Sequence, residues 1–320
     1  MTIPQRIIVS EDHTGWRLDV FLSEILTVTR SQAQKMIGEG AVIMNGQVPF
    51  KTGIRIATND VVEIVESVRA EKKAKHIAED KSPALVPEIV DEQPEFVVVN
   101  KPTGMLTHIT GKNEPNALAE LMVNKYPEMA KVGESPDRPG VVHRLDKEAS
   151  GLIVLARTHD MFDCLKKQFK LRTVEKEYMV LVHGPVVKDV DEINFPISRS
   201  ENAERMAAMP QTVRGETQEE GRTALTEFIV EKRFVNFTLL KVKIHTGRTH
   251  QIRVHMFAYN HSVVGDPMYF QKKRSHDADS RLGRLFLHCS RLAFVDTKGV
   301  RHEYTSPLPE TLASFLKTLK

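Results

Sequence analysis

A short polar stretch within GVVHRLDKEASGLIVLAR, residues 140 to 157, contains side chains able to do acid–base or nucleophilic chemistry. His143, Arg144, Asp146 and Lys147 occupy it, and the apolar runs GVVH and GLIVLA on either side read as buried strands. A carboxylate held between strands can act as a nucleophile or a general base, and a nearby arginine keeps it ionised. An ordinary solvated turn is the alternative interpretation, because charged residues between strands are common.

A second polar stretch, HTGRTHQIRVHMFAYNHSVVGDPMY, covers residues 245 to 269. Thr246-Gly247 is typical of a turn, and Thr249 is placed to cap a following helix. That helix would carry Gln251, Ile252, Arg253 and Met256. Its first turn would offer free N–H groups to an anion.

Metal chemistry is not indicated by this sequence. His250, His255 and His261 do not follow the H-E-x-x-H spacing, and no carboxylates or cysteines stand beside them at ligand spacings. We interpret them as surface or core-edge histidines. Cys164 and Cys289 form no C-x-x-C pair, so neither a zinc ribbon nor a disulfide framework is expected, and a reducing, cytosolic setting fits.

Two further strands are predicted to end near polar or aromatic groups. VVVNKPTGMLTH, residues 97 to 108, reads as a strand that runs into a tight turn at Lys101-Pro102-Thr103-Gly104. KEYMVLVHG places Tyr178 at the head of another strand, where its ring could stack on a nucleic-acid base. Simple packing is the alternative role for a strand tyrosine.

Charge and hydropathy restrict the class of protein. The 45 lysines and arginines exceed the 42 aspartates and glutamates by three in 320 residues, so any anion-binding surface must be local. No run approaches the roughly 20 apolar residues that span a bilayer, and no signal segment opens the chain. We therefore expect a soluble, unprocessed cytoplasmic protein.

The first 66 residues are predicted to form a small α/β domain with two helices and a small sheet. Ser31 is expected to cap the second helix together with Gln34, and Asn45-Gly46 to make a hairpin turn. The expected buried face of the first helix consists of Leu18, Phe21, Leu22 and Ile25.

Residues 67–87 are highly charged and lack aromatic residues, which predicts a linker. From residue 88 to 320 the sequence alternates strand-like runs, such as EYMVLVHG and FTLLKVKIH, with helical ones, such as FDCLKKQFK and PETLASFLKTLK. The expected fold class is α+β, with a small N-terminal domain, a linker and a large C-terminal domain.

Five motifs in this order, NKPTG, HRLDKEASG, TGRTHQIRVHM, VVGDPMY and LHCSRLAF, resemble those of the RluA family of pseudouridine synthases. The N-terminal unit resembles the alpha-L RNA-binding module of a small-subunit ribosomal protein. Together the resemblances cover nearly all of the chain outside the linker. They imply a mixed, largely antiparallel catalytic sheet with an RNA-binding cleft, and no metal or organic cofactor.

The resemblance also assigns roles to four residues. It implies that Asp146 is the essential aspartate, that Arg144 helps to displace the target uridine, that Tyr178 packs against the extruded base, and that Arg253 pairs with Asp146. Family members often have threonine, then serine or threonine, before the glycine of HRLDKEASG. Here Ala149 precedes Ser150, so a hydroxyl that could brace the loop is missing.

The chemistry of the implied reaction agrees with these residue types. The glycosidic N–C bond of uridine is broken, the base turns, and it is rejoined through a ring carbon, which needs neither a redox centre nor a phosphate cradle. Asp146 could attack the sugar or the base, or remove a sugar proton to give a glycal. Each route needs an ionised carboxylate, and a buried carboxylate stays ionised only if it is paired.

RNA contacts outside the implied active site are expected at Arg30 and Lys35, although an ordinary solvated helix face is the alternative. Residues 1–66 hold six basic and eight acidic side chains, so this module should orient RNA more than attract it. The polar segment at residues 271–284 is expected either to contact phosphates or to form a mobile loop.

Large-subunit ribosomal RNA is the preferred expected substrate, because the resemblance places this RNA-binding module commonly in that branch, and transfer RNA is the second choice. A catalytically silent RNA-binding factor in ribosome assembly is the alternative from another class. The intact set of Asp146, Arg144, Tyr178 and Arg253 argues against it. A monomer is assumed, since no exposed apolar helix is evident.

Overall fold

A computed structural model describes most of the chain and divides it into two compact units, residues 1–84 and 85–320. The described residues are 5–26, 28–38, 40–64, 85–109, 116–200, 205–209, 212–213, 216–217, 221–271 and 277–320. Of the expected linker at residues 67–87, residues 67–84 therefore lie outside the described residues.

The N-terminal unit contains two helices and a three-stranded antiparallel sheet in the order β1-β3-β2 among its described residues. Its elements are β1 (Gln5–Ile8), a 3-10 helix (Glu11–His13), α1 (Leu18–Ile25), α2 (Arg30–Gly38), β2 (Val42–Met44) and β3 (Val61–Ile64). The predicted pair of helices and small sheet is thus confirmed.

Three local predictions in this unit can be compared with the structure. The turn at Asn45-Gly46 is present, with φ of 51° and 81°. The prediction for the cap of α2 was wrong, because the Thr29 hydroxyl and the Gln32 side chain bond each other's backbone N–H groups, and Ser31 lies inside the helix. Ile25 is also 39% exposed, since α1 ends there and its last turn leaves the core.

The C-terminal unit is built on one large mixed sheet. Its strands are β4 (Glu88–Glu92), β5 (Phe96–Lys101), β6 (Ser150–Ala156), β7 (Glu175–His183), β8 (Val190–Ile193), β9 (Ile197–Arg199), β10 (Met206–Ala208), β11 (Thr212–Val213), β12 (Glu216–Thr217), β13 (Thr226–Arg233), β14 (Phe237–Ile244), β15 (Leu287–Val295) and β16 (Arg301–Thr305).

The described strands of the large sheet follow the order β4-β5-β6-β15-β7-β14-β13-β8, with β16 paired to the far part of β15. Neighbouring strands are antiparallel except for β6 and β15, which run parallel over a short contact. Two small hairpins, β9 with β10 and β11 with β12, lie outside this sheet. The expected α+β class and the mixed, largely antiparallel sheet are confirmed.

Helices of this unit are α3 (Leu118–Lys125), α4 (His159–Leu171), α5 (Gln251–Ala258), α6 (Asp277–Leu282) and α7 (Glu310–Lys317), with a 3-10 helix at Pro127–Lys131. The predictions of α4 and α7 are confirmed. Within the segment 271–284, residues 272–276 lie outside the described residues. The mobile-loop interpretation is wrong for α6, because Ala278 is buried and Asp279 bonds His183.

The central strands separate two apolar layers. On β7, Val180 and Val182 belong to the apolar cluster that includes residues of α4, whereas Leu181 belongs to a separate cluster that includes residues of α7. This follows from the two-residue period of a strand, which sends neighbouring side chains to opposite faces. All seven residues of β6 are buried, so this strand is a rigid base for the loop that precedes it.

Gly151 lies where β6 passes closest to β15. Its φ of +115° disfavours any residue with a side chain, and a Cβ there would collide with the backbone N and O of Cys289, its partner in the parallel register. Backbone atoms inside a sheet cannot move aside cheaply. A glycine is therefore required at this point of the chain.

We expect Gly151→Ala to lower the free energy of unfolding by about 2–5 kcal/mol, because backbone strain and overpacking add. Gly299→Ala is the matched control: its φ is +80°, but no atom lies within 4 Å of the added Cβ. The control should lose only about 1–2 kcal/mol. Urea denaturation followed by circular dichroism measures both, and equal losses would contradict the steric explanation.

Candidate active site

The loop that carries Asp146 enters β6 directly, and it is tied to the turn that follows β5. The hydroxyl of Thr107 donates to the carbonyl of Leu145 at 3.0 Å and accepts from its N–H at 3.2 Å. The hydroxyl of Thr103 donates to the carbonyl of Glu148 at 2.6 Å. These bonds fix the backbone on both sides of Asp146.

The sequence interpretation of GVVH as a strand was wrong. A single bridge, Val141 with Leu155, is its strand-like pairing among the described residues. The His143 ring instead points into the interior of this unit. Its Nε2 accepts from the N–H of Val154 at 3.1 Å, and its ring stacks on Phe169. Burial lowers the pKa of His143 well below its ordinary value, so this imidazole is neutral.

Lys101 is a fully buried amino group beneath the same loop. Its Nζ donates to the carbonyl oxygens of Pro102, Met105 and Lys147 at 3.0, 2.8 and 3.3 Å. Burial lowers the pKa of Lys101 to about 7, against the opposing charge of Asp146. The NKPTG motif, which the sequence identified only as a turn, therefore anchors the aspartate loop from below.

Arg253 is the positive centre of the site and its side chain is 1% exposed. Its Nε and Nη2 donate to the two carboxylate oxygens of Asp266, both at 2.8 Å. Its Nη1 donates to Asp146 Oδ2 at 3.2 Å and to Glu148 Oε2 at 3.4 Å. Burial opposes the charge, but Asp266 and the two loop carboxylates outweigh it and raise the pKa of Arg253. The implied pair of Arg253 with Asp146 is present.

Asp266 holds Arg253 from the side away from Asp146. It also accepts the backbone N–H groups of Met268 and Tyr269 at 2.8 and 3.0 Å, and the Tyr269 ring lies under the guanidinium at 5.3 Å. This orientation leaves one nitrogen of Arg253 for Asp146. In the sequence, VVGDPMY was identified only as a family motif. Its aspartate, Asp266, was not identified as a possible partner for a buried arginine.

The helix that carries Arg253 begins differently from the prediction. His250, with φ 55°, is the residue before α5, so Thr249 is not the cap. The Gln251 side chain accepts from the hydroxyl of Thr246 at 2.6 Å and from the N–H of Arg248 at 3.1 Å. His255 is a core histidine, fully buried and bonded to Thr226 and Phe195.

A cleft of about 340 Å³ opens above Asp146, a volume suited to a small organic group. Three segments form most of its wall: the aspartate loop, the start of β7, and the turn before α5. Asp146 lies at the floor with its side chain 14% exposed. Arg253 stands behind the floor and is not part of the lining.

Arg144 and Tyr178 also line this cleft. Arg144 is exposed at the rim and has no ion-pair partner among the described residues. Tyr178 is 4% exposed, and burial together with the neighbouring Cys289 and Asp146 raises its pKa well above the ordinary value. Its phenol is therefore neutral, and the structure brings three of the four expected residues to one cavity.

The other two expected residues lie in the N-terminal unit. Arg30 Nε donates to Asp19 Oδ2 at 3.0 Å, and its side chain remains 53% exposed. Asp19 is buried and also bonds Arg17 and Gln34, and these partners lower its pKa. Arg30 thus has a structural role inside its unit. The Lys35 side chain lies outside the described part of α2.

Lys176 is a cleft residue that sequence reasoning missed, although it stands two positions before Tyr178. It is 6% exposed, its Nζ lies 5.1 Å from the centre of the Phe169 ring, and it has no hydrogen-bond acceptor among the described residues. Burial lowers its pKa to about 8. A buried charge directed at a cleft without a protein partner is a candidate for contact with a ligand.

The site can present one carboxylate, Asp146, to a planar molecule beside the aromatic ring of Tyr178. Across the described ranges, no group of three or more histidine, cysteine, aspartate or glutamate side chains could hold a metal ion.

Of the helices described, none has the length and apolar character needed to cross a membrane.

Comparison with protein families gives two matches that divide the chain as its folded units do. Residues 95–258 match the RNA pseudouridylate synthase family, and residues 16–62 match the S4 domain. The first match contains the Asp146 loop, β7 and α5.

Relatives match over nearly the full chain. A protein of Aquifex aeolicus described as an uncharacterized RNA pseudouridine synthase is 34% identical over 95% of this chain and 94% of its own length. Ribosomal large subunit pseudouridine synthase D of Escherichia coli O6:H1 is 30% identical over 98% of this chain and 93% of its own. The structure of human RNA pseudouridylate synthase domain containing 1 superposes with a TM-score of 0.58 at 25% identity, covering 74% of this chain and 90% of that one.

Asp266→Asn should lower the free energy of unfolding by about 3–5 kcal/mol, because it removes the main partner of a buried charge. Asp189→Asn is the control, since Asp189 pairs with Arg233 at 2.6 Å but is 80% exposed, and exposed pairs contribute little. Urea titrations of both variants make the comparison. If Asp266→Asn were as stable as the control, Arg253 would not depend on Asp266.

Lys176→Met should raise the free energy of unfolding at pH 7, because it removes a desolvated charge. The pKa of Lys176 falls from 10.5 in the unfolded chain to about 8 in the folded one, so wild-type stability rises between these values. The advantage of the variant should therefore shrink from pH 8 towards pH 10.5. Lys243→Met, at an exposed position on β14, should show no such pH-dependent gain. Urea titrations across this range test it, and a constant difference would contradict the assignment.

Proposed function

This chain belongs to the RNA pseudouridine synthase family, whose members are RNA isomerases, and from that premise we propose that it converts a uridine of large-subunit ribosomal RNA through Asp146. One observation carries the proposal. The Asp146 carboxylate lies at the floor of a nucleobase-sized cleft, 3.2 Å from a guanidinium that Asp266 holds in place.

The ion pair supports an essential carboxylate for a physical reason. Arg253 is buried and cannot move towards solvent, so its guanidinium stays beside the Asp146 carboxylate, 3.2 Å from Oδ2. The Thr107 and Thr103 bonds fix the loop, which keeps the carboxylate aimed at one point. A charge placed before the substrate arrives needs no reorganisation during the reaction.

The proposed reaction is an isomerisation with no loss of atoms. The bond between N1 of uracil and C1′ of ribose breaks, a new bond forms between C5 and C1′, the C5 proton leaves, and N1 ends with a proton. Asp146 acts by attacking the sugar or the base, or by removing a ribose proton. All three routes require a carboxylate fixed at this position, and Arg253 pairs with it.

Arg144 and Tyr178 have matching proposed roles. The Tyr178 ring offers a flat surface beside Asp146 for the extruded base, and its high pKa keeps it uncharged. Arg144 at the rim would occupy the gap that the base leaves in the RNA. Extrusion costs a few kcal/mol in lost stacking and pairing, which such contacts offset.

Large-subunit ribosomal RNA is proposed as the substrate on two grounds. Relatives from Escherichia coli, Zymomonas mobilis and Blochmanniella floridana are named ribosomal large subunit pseudouridine synthase D and match over almost the whole chain. The S4 match adds an RNA-binding unit in which Arg30 and Lys35 remain the proposed contacts. Because Arg30 also pairs with Asp19, its contribution would come from the exposed half of its side chain.

Asp146→Asn should lower the single-turnover rate of pseudouridine formation in transcribed large-subunit ribosomal RNA by about 10⁴-fold or more. RNA affinity should change little, because the variant keeps the shape of the side chain. Asp137→Asn, at an exposed position next to the cleft residue Arg138 but outside the cleft lining, is the control and should retain the rate. Substantial turnover by Asp146→Asn would remove this residue from the proposed role.

The substrate is tested by mapping pseudouridines in ribosomal and transfer RNA from cells with and without the gene. Loss of a ribosomal RNA site supports the proposal, and loss confined to transfer RNA overturns the substrate assignment. Wild-type protein that binds RNA but converts no uridine would instead indicate a silent ribosome-assembly factor.

A further inference from the structure

A second groove, of about 790 Å³, leaves the proposed active-site cleft at the turn before α5. The two cavities share residues 247–250, so they are continuous. We call the second cavity the arginine groove. Its lining consists of Ile197, Ser198, Arg199, Arg205, Met206, Gly221, Arg222, Gly247, Arg248, Thr249 and His250.

Separate parts of the chain supply its four arginines. Arg199 ends β9, and Arg205 precedes β10 in the same hairpin. Arg222 bridges back to Ile197 through backbone hydrogen bonds of 2.9 Å in both directions. Arg248 lies at the junction with the cleft, where its Nε donates to the carbonyl of Thr223 at 3.0 Å. The fold thus collects four guanidinium groups along one path.

These charges are not balanced by acids among the described residues. The described side-chain contacts of Arg205 and Arg248 are to carbonyl oxygens, and no described carboxylate pairs with Arg199 or Arg222. Burial and the nearby charges of Arg222 and Arg172 lower the pKa of Arg248. Like charges gathered in this way repel one another.

Some arginines elsewhere on this unit are paired with acids, in contrast to those of the groove. Arg291 and Arg301 on β15 and β16 share Glu175 and Glu303 at 2.7–3.0 Å. With a formal charge of only +3 for the chain, a concentration of positive charge without an acidic partner among the described residues is a local feature of the groove. It therefore favours an extended anion.

The lining also indicates which part of a nucleic acid it would bind. Guanidinium groups form paired hydrogen bonds with phosphate oxygens. The described lining of the groove contains no phenylalanine, tyrosine or tryptophan, so these residues offer no aromatic surface for stacked bases. Contacts of this kind hold the backbone and do not read sequence.

We propose that the arginine groove binds the phosphodiester backbone of the RNA nucleotides next to the target uridine. That the neighbouring uridine is modified rests on the proposed function, whereas the binding of the RNA backbone in the groove does not. The strand leaves the cleft past Arg248 and continues along Arg222, Arg199 and Arg205. The groove fixes the RNA on one side of the extruded nucleotide, and the base contacts lie in the cleft.

The test is the salt dependence of RNA binding by the full chain with Arg199→Gln, Arg205→Gln and Arg222→Gln combined. Each lost phosphate contact flattens the plot of log affinity against log salt by about 0.7–0.9, so three contacts predict a change of about 2. The probe is a transcribed fragment of large-subunit ribosomal RNA. Arg248 stays intact because it also lines the cleft.

The control removes the same charge at exposed positions outside both cavities, with Lys298→Gln, Lys317→Gln and Lys320→Gln combined. It should keep the wild-type slope and activity. A slope equal in the two triple variants would overturn the proposal. So would a groove variant that loses conversion at saturating RNA while its slope stays at the wild-type value.

Two further measurements separate the groove from a folding defect and from the proposed function. If the groove variant does not fold by circular dichroism, single variants Arg199→Gln and Arg222→Gln at exposed positions should each flatten the slope by about 0.7–0.9, and unchanged slopes would overturn the proposal. If the wild-type chain converts no uridine but the groove variant still flattens the slope, the proposed function fails and the groove is supported.

Discussion

The sharing of one buried guanidinium among three carboxylates determines how the rest of the site is arranged. Arg253 is oriented by Asp266, which takes two of its nitrogens, and the remaining one faces Asp146 and Glu148. A buried arginine without partners would cost several kcal/mol, so Asp266 is needed for the fold as well as for the site. Stability and the charge state of the cleft therefore depend on the same contact.

The sheet and its connecting turns place that contact at the cleft. The buried strand β6 supports the loop of Asp146, and Lys101 joins that loop to the turn after β5, since it donates to the carbonyl of Lys147 in the loop and to those of Pro102 and Met105 in the turn. Gly151 lets β15 pass close enough to fix the end of the loop. These hydrogen bonds and the pairing of β6 with β15 bring motifs that are far apart in sequence into one cavity.

Sequence patterns predicted the central strands β5, β6, β7, β13 and β14 and the amphipathic helices α4 and α7, because a buried face repeats with a fixed period. A polar motif indicated Asp146 as a candidate, whereas its pairing with Arg253 was implied by the family resemblance, and the structure places the two together. They failed at GVVH, where an apolar run packs as a loop, and at the cap of α5. Asp266 and Lys176 were missed because burial and partners are properties of the folded chain, which spacing does not encode.

The charges under the cleft add up to an electrostatic filter. One positive guanidinium, Arg253, is surrounded by Asp146, Glu148 and Asp266, which gives one minus three, or −2, before Lys101 is counted. Lys176 is a positive group on the wall of the same cleft, so negative charge is confined to the carboxylates around Arg253. Under the proposed function, these carboxylates would favour an uncharged uracil ring over a phosphate next to Asp146. The phosphates of the RNA would then lie at the arginines outside the floor.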